Sequence, residues 1–108
     1  MARLTSDIRV AAYLARLRSW AIPAYLVARG DATAGAVMVK LNTLDGRAQG
    51  FARSFDPETG ATVWVTVAEG PEAEVDAALA RQRARDPDLW LIEVEDKAGR
   101  ALLDGDAP

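Results

Sequence analysis

Apolar residues in the first twenty positions recur at three- and four-residue spacing: Val10, Tyr13, Leu14, Leu17 and Trp20. On an α-helix that spacing makes one stripe. Thr5, Ser6 and Asp7 offer capping oxygens to the free backbone N–H groups of a first turn. Arg9, Ala12 and Arg16 fall on a different side, toward water. Pro23 pushes the residue before it out of helical geometry, so the predicted helix covers 5–21.

Between 24 and 67 the period changes to two, which predicts four strands. "AYLVAR" (Ala24–Arg29) is a short apolar run, and the small residues of Gly30–Gly35 form a loop. In "AVMVKL", Val37, Val39 and Leu41 share one face while Met38 and Lys40 share the other. Asp45–Gly46 signals a tight hairpin turn. "AQGFARSF" (Ala48–Phe55) returns, and "DPETG" (Asp56–Gly60) turns the chain again. In "TVWVTV", Val63, Val65 and Val67 oppose Thr62, Trp64 and Thr66.

Helical spacing resumes over 71–86, with a narrow stripe of Val75, Ala78 and Leu79. Pro71 suits its start. Glu72, Glu74 and Asp76 crowd its positive end and Arg81, Arg83 and Arg85 its negative end, as the helix dipole favours. Pro87 bars continuation. A last strand covers 89–96, and 104–108 reads as a frayed tail. The order α-β-β-β-β-α-β predicts an α+β fold: one domain over 1–108, a two-layer sandwich with a mostly antiparallel five-stranded sheet and both helices on one face.

Composition removes whole classes of chemistry. The chain of 108 residues has no cysteine and no histidine. Thiolate nucleophiles, disulfides, serine–histidine triads and imidazole metal sites therefore fall away. Hydrophobic residues at 50% and charged residues at 27% suit a globular core. The net charge of −3 argues against nucleic acid, whose phosphates demand a basic footprint. No run approaches the roughly 20 apolar residues of a membrane helix, and the charged N-terminus does not read as a signal peptide. A cytoplasmic protein is expected, with no cofactor and no metal.

Two segments, "RGDATAGAVMVKLNTLDG" and "DPDLWLIEVEDKAGRALL", resemble the signature blocks of a small alphaproteobacterial family of uncharacterised proteins, a domain of unknown function. The resemblance spans almost the whole chain and places Asp31, Gly35, Lys40, Gly46, Trp64, Asp86, Pro87, Asp88, Trp90, Glu93 and Asp96 on the familiar positions. It implies a small bacterial domain and brings no activity, ligand or catalytic residue.

Candidate chemistry is sparse. Glu93 and Glu95 lie two apart on the polar side of the last strand, a spacing that permits a shared cation or an acid/base pair. A wet strand edge explains them more simply, and two acids are too few for magnesium or calcium. "DPD" (Asp86–Asp88) is punctuation between helix and strand. "RGD" (Arg29–Asp31) matches an adhesion tripeptide by letters alone. With the valines facing the helices, the reverse face carries Met38, Lys40, Trp64, Leu91 and Glu93, and a bare tryptophan there calls for cover. These five residues are the candidate binding surface. The leading reading is a non-catalytic interaction module, pairing with a protein partner or with itself as a homodimer, through the open sheet face or an edge strand. The alternative is a small-molecule-binding protein or a carboxylate/lysine enzyme with a pocket near Trp64. Nucleic-acid binding ranks last.

Overall fold

The structure is a computed structural model and describes residues 4–55, 58–60 and 62–103. Helix α1 (Ser6–Ser19) is followed by β1 (Ala24–Ala28), β2 (Val37–Asn42), β3 (Arg47–Phe55) and β4 (Thr62–Pro71), then by α2 (Glu72–Arg85) and β5 (Trp90–Glu95). The α+β class, the element order and the mostly antiparallel five-stranded sheet agree with the periodicity. The expected turn at 56–60 is described only at 58–60, and the expected tail at 104–108 lies outside the described residues.

Strands β2, β3 and β4 form the antiparallel meander that their short connections require. β1 does not join them directly. β5 inserts between β1 and β2, antiparallel to the first and parallel to the second, which gives the order β1-β5-β2-β3-β4. β4 and β5 therefore run in the same direction, and the chain must cross the sheet to connect them. α2 makes that crossover.

The crossover overturns the expected two-layer sandwich with both helices on one face. α2 packs through Val75 and Leu79 on the face carrying Met38, Ala48 and Leu89. α1 packs through Val10, Tyr13 and Leu17 on the opposite face, against Val37, Val39, Leu41, Trp90, Ile92 and Val94. The physical reason is that β2 is buried on both sides, through Val37, Val39 and Leu41 toward α1 and through Met38, Lys40 and Asn42 toward α2. One helical layer could not have kept it dry.

Local chemistry fixes both helix starts. Thr5 makes no side-chain cap to α1. Instead the N–H groups of Ser6 and Asp7 donate to Thr33 O and Ala32 O at 3.1 and 2.9 Å, and Ser6 Oγ donates to Gly35 O at 2.6 Å. The Gly30–Gly35 loop thus does the capping. Asp7 accepts from the Thr5 hydroxyl and from the Ile8 N–H, and these bonds hold its pKa below the usual carboxylate range. Pro71 is the N-cap of α2, one residue before the helix, and Glu72 N donates to Gly46 O at 2.9 Å.

Gly30 and Gly35 are required by close approach, since a Cβ on either would run into the Asp88 carbonyl oxygen. A Cβ on Gly30 would also come within 2.6 Å of Trp90 Cδ1. Trp90 is 1% exposed, donates Nε1–H to Asp31 O at 2.8 Å, and carries the Arg29 guanidinium over its ring at 5.0 Å. The "RGD" tripeptide is therefore the lid over Trp90. On the other face, a Cβ on Gly50 would sit 3.0 Å from Leu79 Cδ2, so the glycine is the seat for α2.

Candidate functional site

Four of the five candidate residues meet, but not on an open face. Met38, Lys40, Leu91 and Glu93 all lie on the α2 side, because β2 and β5 pair in parallel with Met38 opposite Leu91 and Lys40 opposite Glu93. α2 covers them. Met38 is fully buried, Leu91 packs against the same cluster, and Lys40 is 4% exposed.

The buried lysine organises the polar part of this face. Lys40 Nζ lies 2.7 Å from Glu72 Oε2, 2.7 Å from Asp76 Oδ1 and 3.3 Å from Glu93 Oε1. Asn42 Nδ2 donates to Glu72 at 3.1 Å and to Glu93 at 3.3 Å, which ties the carboxylates from the neighbouring position. Burial pulls the Lys40 pKa down. The hydrogen bonds to Asp76 and Glu72, with the field of Glu93, outweigh it and leave the pKa above the ordinary lysine value. Lys40 is thus an ammonium with its donors occupied. A nucleophilic lysine needs the opposite, a free amine with a depressed pKa. The cluster joins α2 to β2 and β5 as a polar clasp.

The paired acids of the last strand part company. Glu93 joins the clasp, whereas Glu95 accepts from the Tyr25 hydroxyl at 3.3 Å. The negative charge of Glu95, its hydrogen bond, and more distantly Glu93 raise the Tyr25 pKa. Among the described residues no group of acids is arranged to hold a metal ion. "DPD" acts as a joint. Asp86 Oδ1 accepts from Asp88 N–H at 3.1 Å, and Arg83 donates to the carbonyls of Leu89, Arg29 and Pro87.

Trp64 stands on the other face. It pairs with Arg53, its ring lies 5.7 Å below that guanidinium, and it packs on the α1 cluster. The valines expected to face the core, Val63, Val65 and Val67, are the exposed set of β4. The cavity beside Trp64 amounts to about 10 Å³ between Arg9, Val10, Tyr13, Val37, Arg53 and the indole, at the limit of a single water. The pocket near Trp64 is accordingly filled by α1.

The sequence profile of one family, described as proteins of unknown function (DUF1491), matches residues 4–104. The chain belongs to the DUF1491 family. A crystal structure of a DUF1491 family protein from Caulobacter crescentus CB15 is 35% identical with a TM-score of 0.85, covering 94% of this chain and 95% of that one. An NMR structure of a DUF1491 family protein from the same bacterium is 34% identical with a TM-score of 0.82, covering 95% and 94%. A solution structure of an A. tumefaciens protein is 27% identical with a TM-score of 0.73, covering 87% and 86%. No curated protein matches the chain. These alphaproteobacterial relatives bear out the resemblance of the two sequence blocks.

Two features of this DUF1491 fold escaped the sequence reading. The first is the edge formed by β1. Tyr25, Leu26 and Val27 are 53%, 43% and 53% exposed in succession, so both faces of the strand are bare. The run "AYLVA" hinted at it, since nothing in its pattern distinguishes a buried strand from an uncovered one. The second is a pocket of about 550 Å³ between α1, the α1 side of β2–β3 and residues 99–103. Its walls come from three distant segments, and no local motif announces such a meeting. Among the described residues no helix is long and apolar enough to cross a membrane.

Proposed function

We propose that this domain is a non-catalytic protein-interaction module that pairs with a second copy of itself through β1. The observation that carries the reading is the apolar, uncharged edge Ala24–Ala28, with three adjacent large side chains exposed. β1 is bonded on one side only, to β5, and its other side offers unpaired backbone N–H and C=O groups. An edge without charged side chains lacks the usual guard against strand addition, and two such edges meet across a twofold axis without like-charge repulsion. Pairing the strands would also bring together Tyr25, Leu26 and Val27 of both copies, removing apolar surface from water on both sides of the extended sheet. Pro23 and the bulge between Leu26 and Ala28 limit the paired length, so the contact is small and the affinity on the order of micromolar or weaker.

Sedimentation velocity from micromolar to near-millimolar protein tests this. The wild type should show a sedimentation coefficient that rises with concentration. Val27→Lys, at an exposed position, should keep the fold and stay monomeric. A wild type that remains monomeric throughout the range would sink the proposal.

A further inference from the structure

The pocket beneath the 99–103 segment points to a ligand. Its walls are Trp20 from the end of α1, Leu41 and Phe51 from β2 and β3, and Ala101, Leu102 and Leu103 from the segment, with Gln49 and Arg16 as polar members. A volume of about 550 Å³ lies within the usual range for small-molecule sites, roughly 300–1,000 Å³. Most of the lining is apolar, and Trp20 remains 58% exposed at its mouth although α1 has other residues to bury. An indole and a phenyl ring on a concave surface suit an aliphatic or aromatic body.

Arg16 supplies the charge. Its Nη2 donates to Leu102 O at 2.8 Å, and its guanidinium lies 5.4 Å over the Tyr13 ring. Its Nε is buried, and no described atom accepts that hydrogen. None of the acids that form ion pairs among the described residues pairs with Arg16. A buried donor without an acceptor is costly, and a guanidinium matches a carboxylate in geometry and charge. Gln49 is neutral, and its amide donates to Glu69 at 3.0 Å. The wall that closes the pocket is held by Arg16 to Leu102 and by the Tyr13 hydroxyl to Ala101 O at 2.7 Å, and is anchored at its start by the Gly99 N–H to Asp96 O at 3.0 Å and by the Arg100–Asp96 ion pair. Leu102 itself sits at φ 55°, a left-handed conformation uncommon for a leucine.

We propose that this pocket binds a small monocarboxylate with an apolar body, its carboxylate on Arg16 and its body against Trp20, Leu41, Phe51 and Leu102. One guanidinium suits a single negative charge, and the apolar walls exclude a strongly hydrated anion such as phosphate. This site is independent of β1 and of self-association.

Octanoate is the probe, titrated below its micellar range and followed by amide correlation NMR, with 1-octanol as the neutral match. The expected result is saturable shifts at Trp20, Phe51 and Leu102 and binding of octanoate roughly tenfold or more tighter than octanol. Arg16→Gln should erase that preference. Leu103→Glu, which places a negative charge in the wall without touching the Arg16 bonds, should weaken octanoate and spare octanol, and it decides the matter if Arg16→Gln does not fold. Absence of saturable shifts, shifts centred elsewhere, equal binding of the two probes, or an octanoate affinity unmoved by Leu103→Glu would each overturn the proposal.

Discussion

Replacing Lys40 by Met removes the charge at the centre of the clasp while nearly conserving volume. Three carboxylates then face one another across the α2–sheet junction with only Asn42 donating to two of them. Removing one partner of a fully buried ion pair costs about 3–5 kcal/mol. Here the lysine is buried, but the side chains of Glu72, Asp76 and Glu93 are 38%, 54% and 20% exposed, so water screens part of the residual repulsion. A loss of about 2–3 kcal/mol follows, which for a domain of this size lowers Tm by about 10–20 °C. Urea denaturation and calorimetry would measure it. The pH dependence adds a second check. Lys40 has a folded pKa above its unfolded one, so its contribution is fully present below the unfolded value of about 10.5. It fades only as pH rises through the folded value. The gap between wild type and variant should therefore be flat from neutral pH to about 9 and narrow only at more alkaline pH. A Lys40→Met protein as stable as the wild type would refute the reasoning, because the ion cluster would then be replaceable by apolar packing.

Two further substitutions separate folding from association. Gly30→Ala should cost about 2–4 kcal/mol, since the added methyl meets backbone at Asp88 and the Trp90 ring rather than a flexible side chain; a melting curve superimposable on that of the wild type would contradict the tight lid. Trp64→Ala should lower stability by about 1.5–3 kcal/mol, as a half-buried ring lost from the α1 cluster, and leave the sedimentation profile unchanged; altered self-association with unchanged stability would instead restore Trp64 to an interface.

The hydrophobic period carried the elements but not their layering. The stripe Val10, Tyr13, Leu17 and the set Trp90, Ile92, Val94 were legible as core because each opposes a polar side, and both form the α1 cluster. β2 was legible only in part. Val37, Val39 and Leu41 stood out, whereas Met38 on the reverse side was the sign of a second buried face. Lys40 concealed that sign, because a lysine reads as wet until its carboxylates are seen, and two of them come from α2, more than 30 positions away. β4 misled for another reason. One face carries three valines and the other a tryptophan between two threonines, so the pattern favoured the valines for the core. The strand pairs Arg53 with Trp64, and α1 buries that side. Valine favours strands whether or not it is covered.

The insertion of β5 between β1 and β2 was likewise silent in the chain, because it depends on where α2 returns the strand. That insertion is what pushes "AYLVA" to the rim and leaves it bare. Beside β1 on the α2 face runs a groove of about 590 Å³ lined by Val27, Ala28, Leu79, Arg83 and Leu91 and ending at Lys40 and Glu93. Lys40, Leu91 and Glu93 thus flank the proposed contact rather than form it, while Met38 is buried beneath α2 and Trp64 lies on the opposite face.

The absence of native cysteine allows the most direct test of β1 pairing, a single cysteine placed in turn at 25, 26 and 27. Opposed residues of an antiparallel pair lie about 4.5–5.5 Å apart at Cα, inside the span a disulfide bridges. Under mild oxidation, at least one of these variants should form a covalent dimer rapidly, while Ile8→Cys, exposed on α1, should not. Failure of all three to cross-link, or cross-linking of Ile8→Cys just as fast, would contradict a second copy seated on β1.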